Sequence, residues 1–384
     1  MTSSKSDQLR VCYFGTYESS YPRNRMFING LRMNNVIVHE CHEPFWELFE
    51  EKGSEFRLGF GTILKFVAAQ FRLAWRYTTK MPDHDIIMVG FIGQIDMFLA
   101  KTLAWLTGRK LVFNPLVSIY DTVVGDRKMV TDASLKARFF KWLDQISCRM
   151  SDLVFLDTEA HIDYFCQAFN LERAKFQRIW VGADESVFCK PTAALAKENP
   201  TVFEILFIGK FIPLHGLPKI IETAKLLEHE EKIHFTLVGH GQLRQTIDAQ
   251  ILMLGLQNIT MINWIPYESL GEIMTAADVI LGIFGDSDKA ARVIPNKVYQ
   301  ALAVGKPVLT MDSVAARELL THRKNAFLVT NSAEAMAAAL LELNADSALL
   351  KTLEGNAQEI FDSELNNSAL GLDIRRALEV LVGN

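Results

Sequence analysis

Short apolar runs recur along this chain, each closed by glycine, proline or polar residues, and apolar positions at helical spacing fill the intervals. Leu9–Gly15 is the first such run, with the form of a buried parallel strand feeding a tight loop. The pattern predicts further strands over Val36–Glu40, Asp85–Gly90, Lys110–Phe113, Leu153–Leu156 and Phe176–Trp180. Helices are expected over Arg25–Asn34, Gly61–Lys80, Ile95–Thr107 and Ala133–Met150. The alternation then starts again. Strands are expected at Glu204–Ile208, His234–Val238, Ile259–Ile262, Val279–Ile283, Pro307–Thr310 and Ala326–Val329. The helices between them lie near Pro218–His229, Gln242–Leu254, Tyr267–Ala277, Asn296–Val304 and Ala315–Leu320, followed by Ala333–Asn344 and Leu370–Val382.

Strands alternating with helices predict an α/β fold, a parallel sheet with helices on both faces, built twice. Lys190-Pro-Thr-Ala-Ala-Leu-Ala-Lys-Glu-Asn-Pro200 has the composition of a linker, so domains are expected over 1–190 and 200–384. The last helix is expected to pack back across the linker onto the first domain. Two doubly wound domains in series place the expected active site in a central cleft, at the carboxyl ends of both sets of strands.

Composition narrows the function classes. The first 190 residues carry 24 Lys+Arg against 22 Asp+Glu and the remainder 16 against 23, which gives no support to a nucleic-acid binder. Cys12, Cys41, Cys148, Cys166 and Cys189 are scattered, with no Cys-x-x-Cys pair, so neither a disulfide framework nor a zinc site is indicated. No apolar leader or spanning segment is read, and a cytoplasmic location is expected. The segment Phe56–Lys80 qualifies this. It holds five basic and no acidic residues among Phe60, Leu64, Phe71 and Trp75, and it is read either as an interfacial helix on an anionic leaflet or as a core helix whose cationic side faces water or the cleft.

The candidate chemistry concentrates in the second half. Pro295-Asn-Lys297 opens a helix whose free amides and Lys297 can hold a phosphate, and Val298, Ala301 and Leu302 give its docking stripe. Gly209-Lys210 to His215-Gly216 follows a strand, where two cationic donors a few residues apart can straddle a diphosphate. Gly239 and Gly241 end the next strand without a third glycine, which argues against a dinucleotide-binding oxidoreductase. Trp264 is expected to pack or to wall a base, with packing preferred. In the first half, Gly15 and Thr16 end the first strand on the expected acceptor side, Arg23 and Arg25 are read as ligands of an acceptor phosphate or as solvated first-turn residues, and Asp121 is preferred to Asp126 as a general base or hydroxyl-positioning group. His39 and His42 lie on opposite faces of a strand, so no metal site is read there.

The stretches Gly209-Lys to His215-Gly, Val238-Gly-His-Gly241, Ala276-Ala-Asp-Val-Ile-Leu281 and Pro295-Asn-Lys-Val-Tyr-Gln-Ala-Leu-Ala-Val-Gly-Lys-Pro-Val308 together resemble the donor domain of retaining GT-B glycosyltransferases, glycosyltransferase family 4. Ser151–Thr158 and Ile179–Phe188 resemble the close of that family's acceptor domain. The resemblance implies a hexosyltransferase moving a sugar from a nucleoside-diphosphate sugar to an acceptor hydroxyl, expected on a lipid-linked or cell-surface glycan, without metal or other cofactor. It implies Lys210 and His215 at the departing diphosphate, and donor contacts from Gly209, Gly239, Gly241, Trp264, Asp286, Lys289, Arg292, Asn296, Lys297 and Gln300. The family's usual pair of glutamates is replaced by Arg292 and Gln300, which leaves the donor sugar open. A nucleotide-sugar epimerase and a non-catalytic scaffold of a polysaccharide assembly complex are the alternatives.

Overall fold

The computed structural model describes residues 8–48, 60–190 and 201–383, and these divide into two compact units. Of these residues, 8–48, 60–124, 129–181 and 367–383 fall in unit 1, and 125–128, 182–190 and 201–366 in unit 2.

In unit 1 the order is β1 (Arg10–Gly15), α1 (Pro22–Met33), β2 (Ile37–His42), α2 (Phe60–Lys80), β3 (Ile86–Val89) and α3 (Asp96–Thr107). It continues with β4 (Lys110–Phe113), α4 (Leu135–Met150), β5 (Leu153–Leu156), α5 (Glu159–Phe169) and β6 (Phe176–Arg178). The six strands are all parallel, in the order β2-β1-β3-β4-β5-β6. Both sheet faces are covered, which is why the strands read as nearly continuous apolar runs rather than alternating ones. On one face Cys12, Phe14, Ile87, Val89 and Phe113 meet Leu73 and Tyr77 of α2, Met97 and Ala100 of α3, Cys148 of α4 and Phe165 of α5. On the other, Val11, Tyr13, Met88 and Phe155 meet Phe27 and Leu31 of α1.

In unit 2 the order is β7 (Phe203–Ile208), α6 (Leu217–Leu226), β8 (Ile233–Val238), α7 (Arg244–Leu254), β9 (Ile259–Ile262) and α8 (Leu270–Ala276). Then come β10 (Val279–Leu281), α9 (Asn296–Ala303), β11 (Val308–Met311), α10 (Val314–Leu319), β12 (Phe327–Val329), α11 (Ala333–Ala345) and α12 (Ser347–Ile360). The last helix, α13 (Asn367–Val382), belongs to unit 1, where Ile374 and Leu378 join the α1 side of the core. Helices α1 and α13 approach closely because Gly30 and Gly371 meet: a Cβ on Gly371 would lie 1.9 Å from the Gly30 carbonyl oxygen.

The second sheet is also entirely parallel, in the order β12-β11-β10-β7-β8-β9. The strand order therefore reverses between β7 and β10, and the loops leaving the carboxyl ends of these two strands border the crevice in which such sheets bind ligands. Those loops are 209–216 and 282–295. Helix α5 was not expected from periodicity, although Thr158 caps it by accepting from the His161 amide at 3.1 Å and Ile162, Phe165 and Phe169 supply its buried stripe. Periodicity does not mark helix α12 either; Asp346 caps it, and Leu349, Leu353 and Ala357 are its buried positions. Of the proposed linker, residues 191–200 lie outside the described residues.

Candidate functional site

The loop after β7 is folded back on itself by one side chain. His215 Nδ1–H donates to the Lys210 carbonyl oxygen at 2.5 Å, leaving Nε2 without its proton while the ring is neutral. Gly216 follows in the left-handed region at φ 66, and its bare Cα lets the loop after β10 lie across it. There the Phe284 amide donates to the His215 carbonyl and the Gly285 amide to the Leu214 carbonyl, each at 3.2 Å. Lys219 on α6 donates to the Phe284 carbonyl oxygen at 3.1 Å and also pairs with Asp286. Two loops separated by about seventy residues of sequence are thus one backbone-bonded layer at the switch point.

Lys297 enters this layer from below. It sits in the first turn of α9, and its ammonium lies 3.5 Å from the centre of the Phe207 ring. It is 4% exposed, and Nζ is buried with no hydrogen-bond partner among the described residues. A methyl group placed on Gly209 would lie 3.2 Å from Lys297 Nζ and 3.1 Å from His215 Cε1, so both side chains reach the same side of Gly209. Burial holds the Lys297 ammonium well below the usual lysine range. Burial, with the charge of Lys297 second, pushes His215 well below the usual imidazole range. Burial disfavours the charged form of both groups, and a neighbouring negative charge would favour it. Helix α9 adds to this, since Pro295 stands at its N-cap with no side-chain hydrogen bond to the first-turn amides. Lys210 itself is exposed, next in the chain to Gly209.

The other donor-side candidates fall into different places. Asn296 and Gln300 are partly exposed on α9, Arg292 is partly exposed in the preceding loop, and Lys289 is buried. Asp286 anchors its loop: besides Lys219 it accepts from Asn331 Nδ2 at 3.2 Å. Gly239 and Gly241 have φ of 146 and 147, and a Cβ on Gly239 would lie 1.9 Å from the Gly209 carbonyl oxygen. Close packing of the loop after β8 on the loop after β7 thus accounts for both glycines. Trp264 is 68% exposed beyond β9, the edge strand, so the packing reading is corrected: too little of the sheet reaches it to bury an indole.

In unit 1 the structure corrects Arg23. Its guanidinium is fully buried, with Nε donating to Asn114 Oδ1 at 3.1 Å and Nη1 donating to the carbonyls of Ile179 and Trp180 at 2.8 and 2.7 Å. It also stacks over Phe27 at 4.3 Å. It is a core cross-link, neither a solvated first-turn residue nor an open phosphate ligand; Arg25 is partly exposed. Gly15 and Thr16 face a buried carboxyl that sequence reasoning missed. Asp96 Oδ2 accepts from the Thr16 amide at 2.7 Å and its hydroxyl at 2.9 Å, and Oδ1 accepts from Gln70 Nε2 at 2.6 Å. Desolvation pushes this carboxyl up to about 6. Asp144, also missed and also pushed up to about 6 by burial, accepts from Ser118 Oγ at 2.7 Å and the Tyr120 amide at 2.9 Å. That shapes the turn that buries Asp121, whose amide donates to Ser118 Oγ at 2.9 Å. Asp126 is grouped with unit 2, where it accepts from Ser287 Oγ at 3.4 Å. Among the described residues no cluster of three His, Cys, Asp or Glu could hold a metal ion.

Known proteins give the site its context. Residues 202–346 match the family Glycosyl transferases group 1. The amylovoran biosynthesis glycosyltransferase AmsK of Erwinia amylovora is 25% identical over 181 residues, covering 46% of this chain and 44% of that protein. The chain spans about half the length of the curated relatives it matches. Among solved structures, sucrose-phosphate synthase from Thermosynechococcus elongatus superposes with a TM-score of 0.72 at 17% identity, covering 98% of this chain and 100% of that one. HepE of Anabaena in complex with UDP-glucose superposes with a TM-score of 0.66 at 16% identity, covering 97% and 99%. With its two parallel sheets, the chain has the GT-B fold, and its residues 202–346 are similar to the Glycosyl transferases group 1 family.

Proposed function

We propose that this protein is a retaining glycosyltransferase of family 4 that moves a sugar from a nucleoside-diphosphate sugar to an acceptor hydroxyl on a lipid-linked or cell-surface glycan. The observation that carries the reading is the buried, unpartnered ammonium of Lys297 beside Gly209 and His215 at the switch point of a group 1 domain. The donor diphosphate would lie over Gly209, contacted by Lys297, by His215 through Nε2 once protonated, by Lys210 and by the first amides of α9. These fixed donors would stabilise negative charge as the bond between the anomeric carbon and the phosphate oxygen breaks. The acceptor oxygen bonds to the anomeric carbon on the face that the diphosphate leaves, and the hydroxyl proton passes to the leaving phosphate. Configuration is then retained without an enzyme nucleophile, and the cations take the place of a divalent ion.

Support for the substrate class comes from relatives. AmsK is named for amylovoran biosynthesis, and the HepE structure holds UDP-glucose. A peripheral position on the inner face of the cell membrane, reached through α2, suits a lipid-linked acceptor. Among the described residues no helix is long and apolar enough to cross a membrane. Residues 56–59 of the proposed contact segment lie outside the described residues. The test of retention is proton NMR of the first-formed product: an anomeric coupling matching that of the donor is expected, and the opposite anomer would refute the mechanism.

A further inference from the structure

Helix α2 has two apolar stripes. Ala69, Leu73 and Tyr77 dock on the sheet, while Leu64, Val67, Phe71 and Trp75, at the helical spacing i, i+3, i+7 and i+11, are exposed. Arg72 and Arg76 flank the docked side and pair with Glu43 at 2.8 and 2.9 Å. The side of α2 farthest from the core is therefore the apolar one, not a cationic face turned to water.

The neighbouring helices repeat this arrangement. Helix α3 packs beside α2 and α4 beside α3, all on one face of the same sheet. On α3, Phe98 and Trp105 are exposed, the latter 77%; on α4, Leu135, Phe139 and Trp142 are exposed at i, i+4 and i+7. Phe98 and Trp142 bring the two stripes together, with ring centres 6.0 Å apart, and Phe139 stands 5.9 Å from Trp142. Three adjacent helices thus show an aromatic surface larger than scattered exposed residues would make. Its charge is one-sided. The three helices carry nine Lys and Arg and two acidic residues, and both acids, Asp96 and Asp144, are buried at 1% exposure.

We propose that the outer face of α2, α3 and α4 together is a docking surface for an anionic lipid bilayer. This rests on the α2 contact proposed above and deepens it by extending the surface over two more helices. The aromatic stripes enter the boundary between headgroups and acyl chains, and cations such as Lys65, Lys101 and Lys136 meet the lipid phosphates. A second copy of the chain would set like charges against each other across the same face, which is why the bilayer is the occupant that fits.

The test is co-sedimentation of the full chain with vesicles of phosphatidylcholine alone or mixed with phosphatidylglycerol. Binding is expected to the mixed vesicles only and to weaken with salt. The variant Trp105→Ser/Phe139→Ser/Trp142→Ser, which leaves α2 intact, should bind about tenfold more weakly. Lys101→Ala and Lys136→Ala should each weaken binding by about fivefold. Circular dichroism checks that these surface variants are folded, and an unchanged thermal shift with UDP keeps the outcome separate from that of the donor-site reading. Wild-type affinity in the triple variant would overturn the proposal. So would equal binding to both vesicles, or a lipid-free dimer that the triple variant converts to monomer.

Discussion

Replacing Lys297 with methionine separates stability from function. The ammonium is 4% exposed and has no hydrogen-bond partner among the described residues, and the Phe207 ring lies 3.5 Å away. A buried cation over an aromatic face recovers up to about 2 kcal/mol, whereas replacing buried charge by an apolar side chain of similar volume often stabilises by about 1–4 kcal/mol. Lys297→Met should therefore stabilise the ligand-free protein by roughly 1–3 kcal/mol, raising Tm by about 2–10 °C for a domain of this size. The sign of the pH dependence follows from the depressed lysine. Between its folded value and the ordinary lysine value the unfolded chain binds more protons, so this residue makes stability rise with pH, and the variant loses that slope.

Nucleotide binding acts in the opposite sense. A diphosphate raises the proton affinity of both Lys297 and His215, so binding takes up protons and affinity falls as pH rises. Thermal melts with and without UDP, from about pH 6 to 9, read both effects; at a hundred times Kd, UDP stabilises the wild type by about 2.7 kcal/mol. In Lys297→Met most of that increment should vanish although the apo protein melts higher. A variant that melts lower, or that keeps the full UDP increment, refutes the assignment of Lys297 as an anion ligand.

Two further outcomes are expected. Asp96, held at about 6, contributes stability that is fully present below about pH 4 and is lost as pH rises through about 6; Asp96→Asn should flatten that part of the curve and add up to about 3 kcal/mol at pH 7 in urea melts, leaving the share due to Asp144, and an unchanged slope would contradict it. Arg23→Ala should destabilise by about 3–5 kcal/mol, because it leaves two buried carbonyls and Asn114 without their donor, whereas a loss confined to acceptor KM with unchanged Tm would restore the phosphate-ligand reading.

The fold was legible where local pattern decides it. Strands such as Lys110–Phe113 and Leu153–Leu156 are buried on both faces, so an apolar run marks them residue for residue. Helix α5 escaped because its Thr158 cap follows directly on a strand and its stripe mixes histidine and tyrosine with phenylalanine. The loops after β7 and β8 could be placed by their glycines, and Gly209, His215 and Lys297 do come together. Arg23 could not be read locally: its partners lie 91 to 157 residues away, and only folding brings them into reach. Asp96 and Asp144 are single carboxylates with no motif, and their burial depends on which loop tips fold over them. Periodicity identifies both apolar stripes of α2, but the sheet decides which of them is covered.

The most direct measurement incubates the full chain with a panel of nucleotide sugars and a membrane lipid extract in excess EDTA, following nucleotide release and label in lipid together. The account predicts that one donor drives both signals in step despite chelation. No release from any donor, epimerised sugar without labelled lipid, or turnover that EDTA abolishes and a divalent ion restores would contradict it.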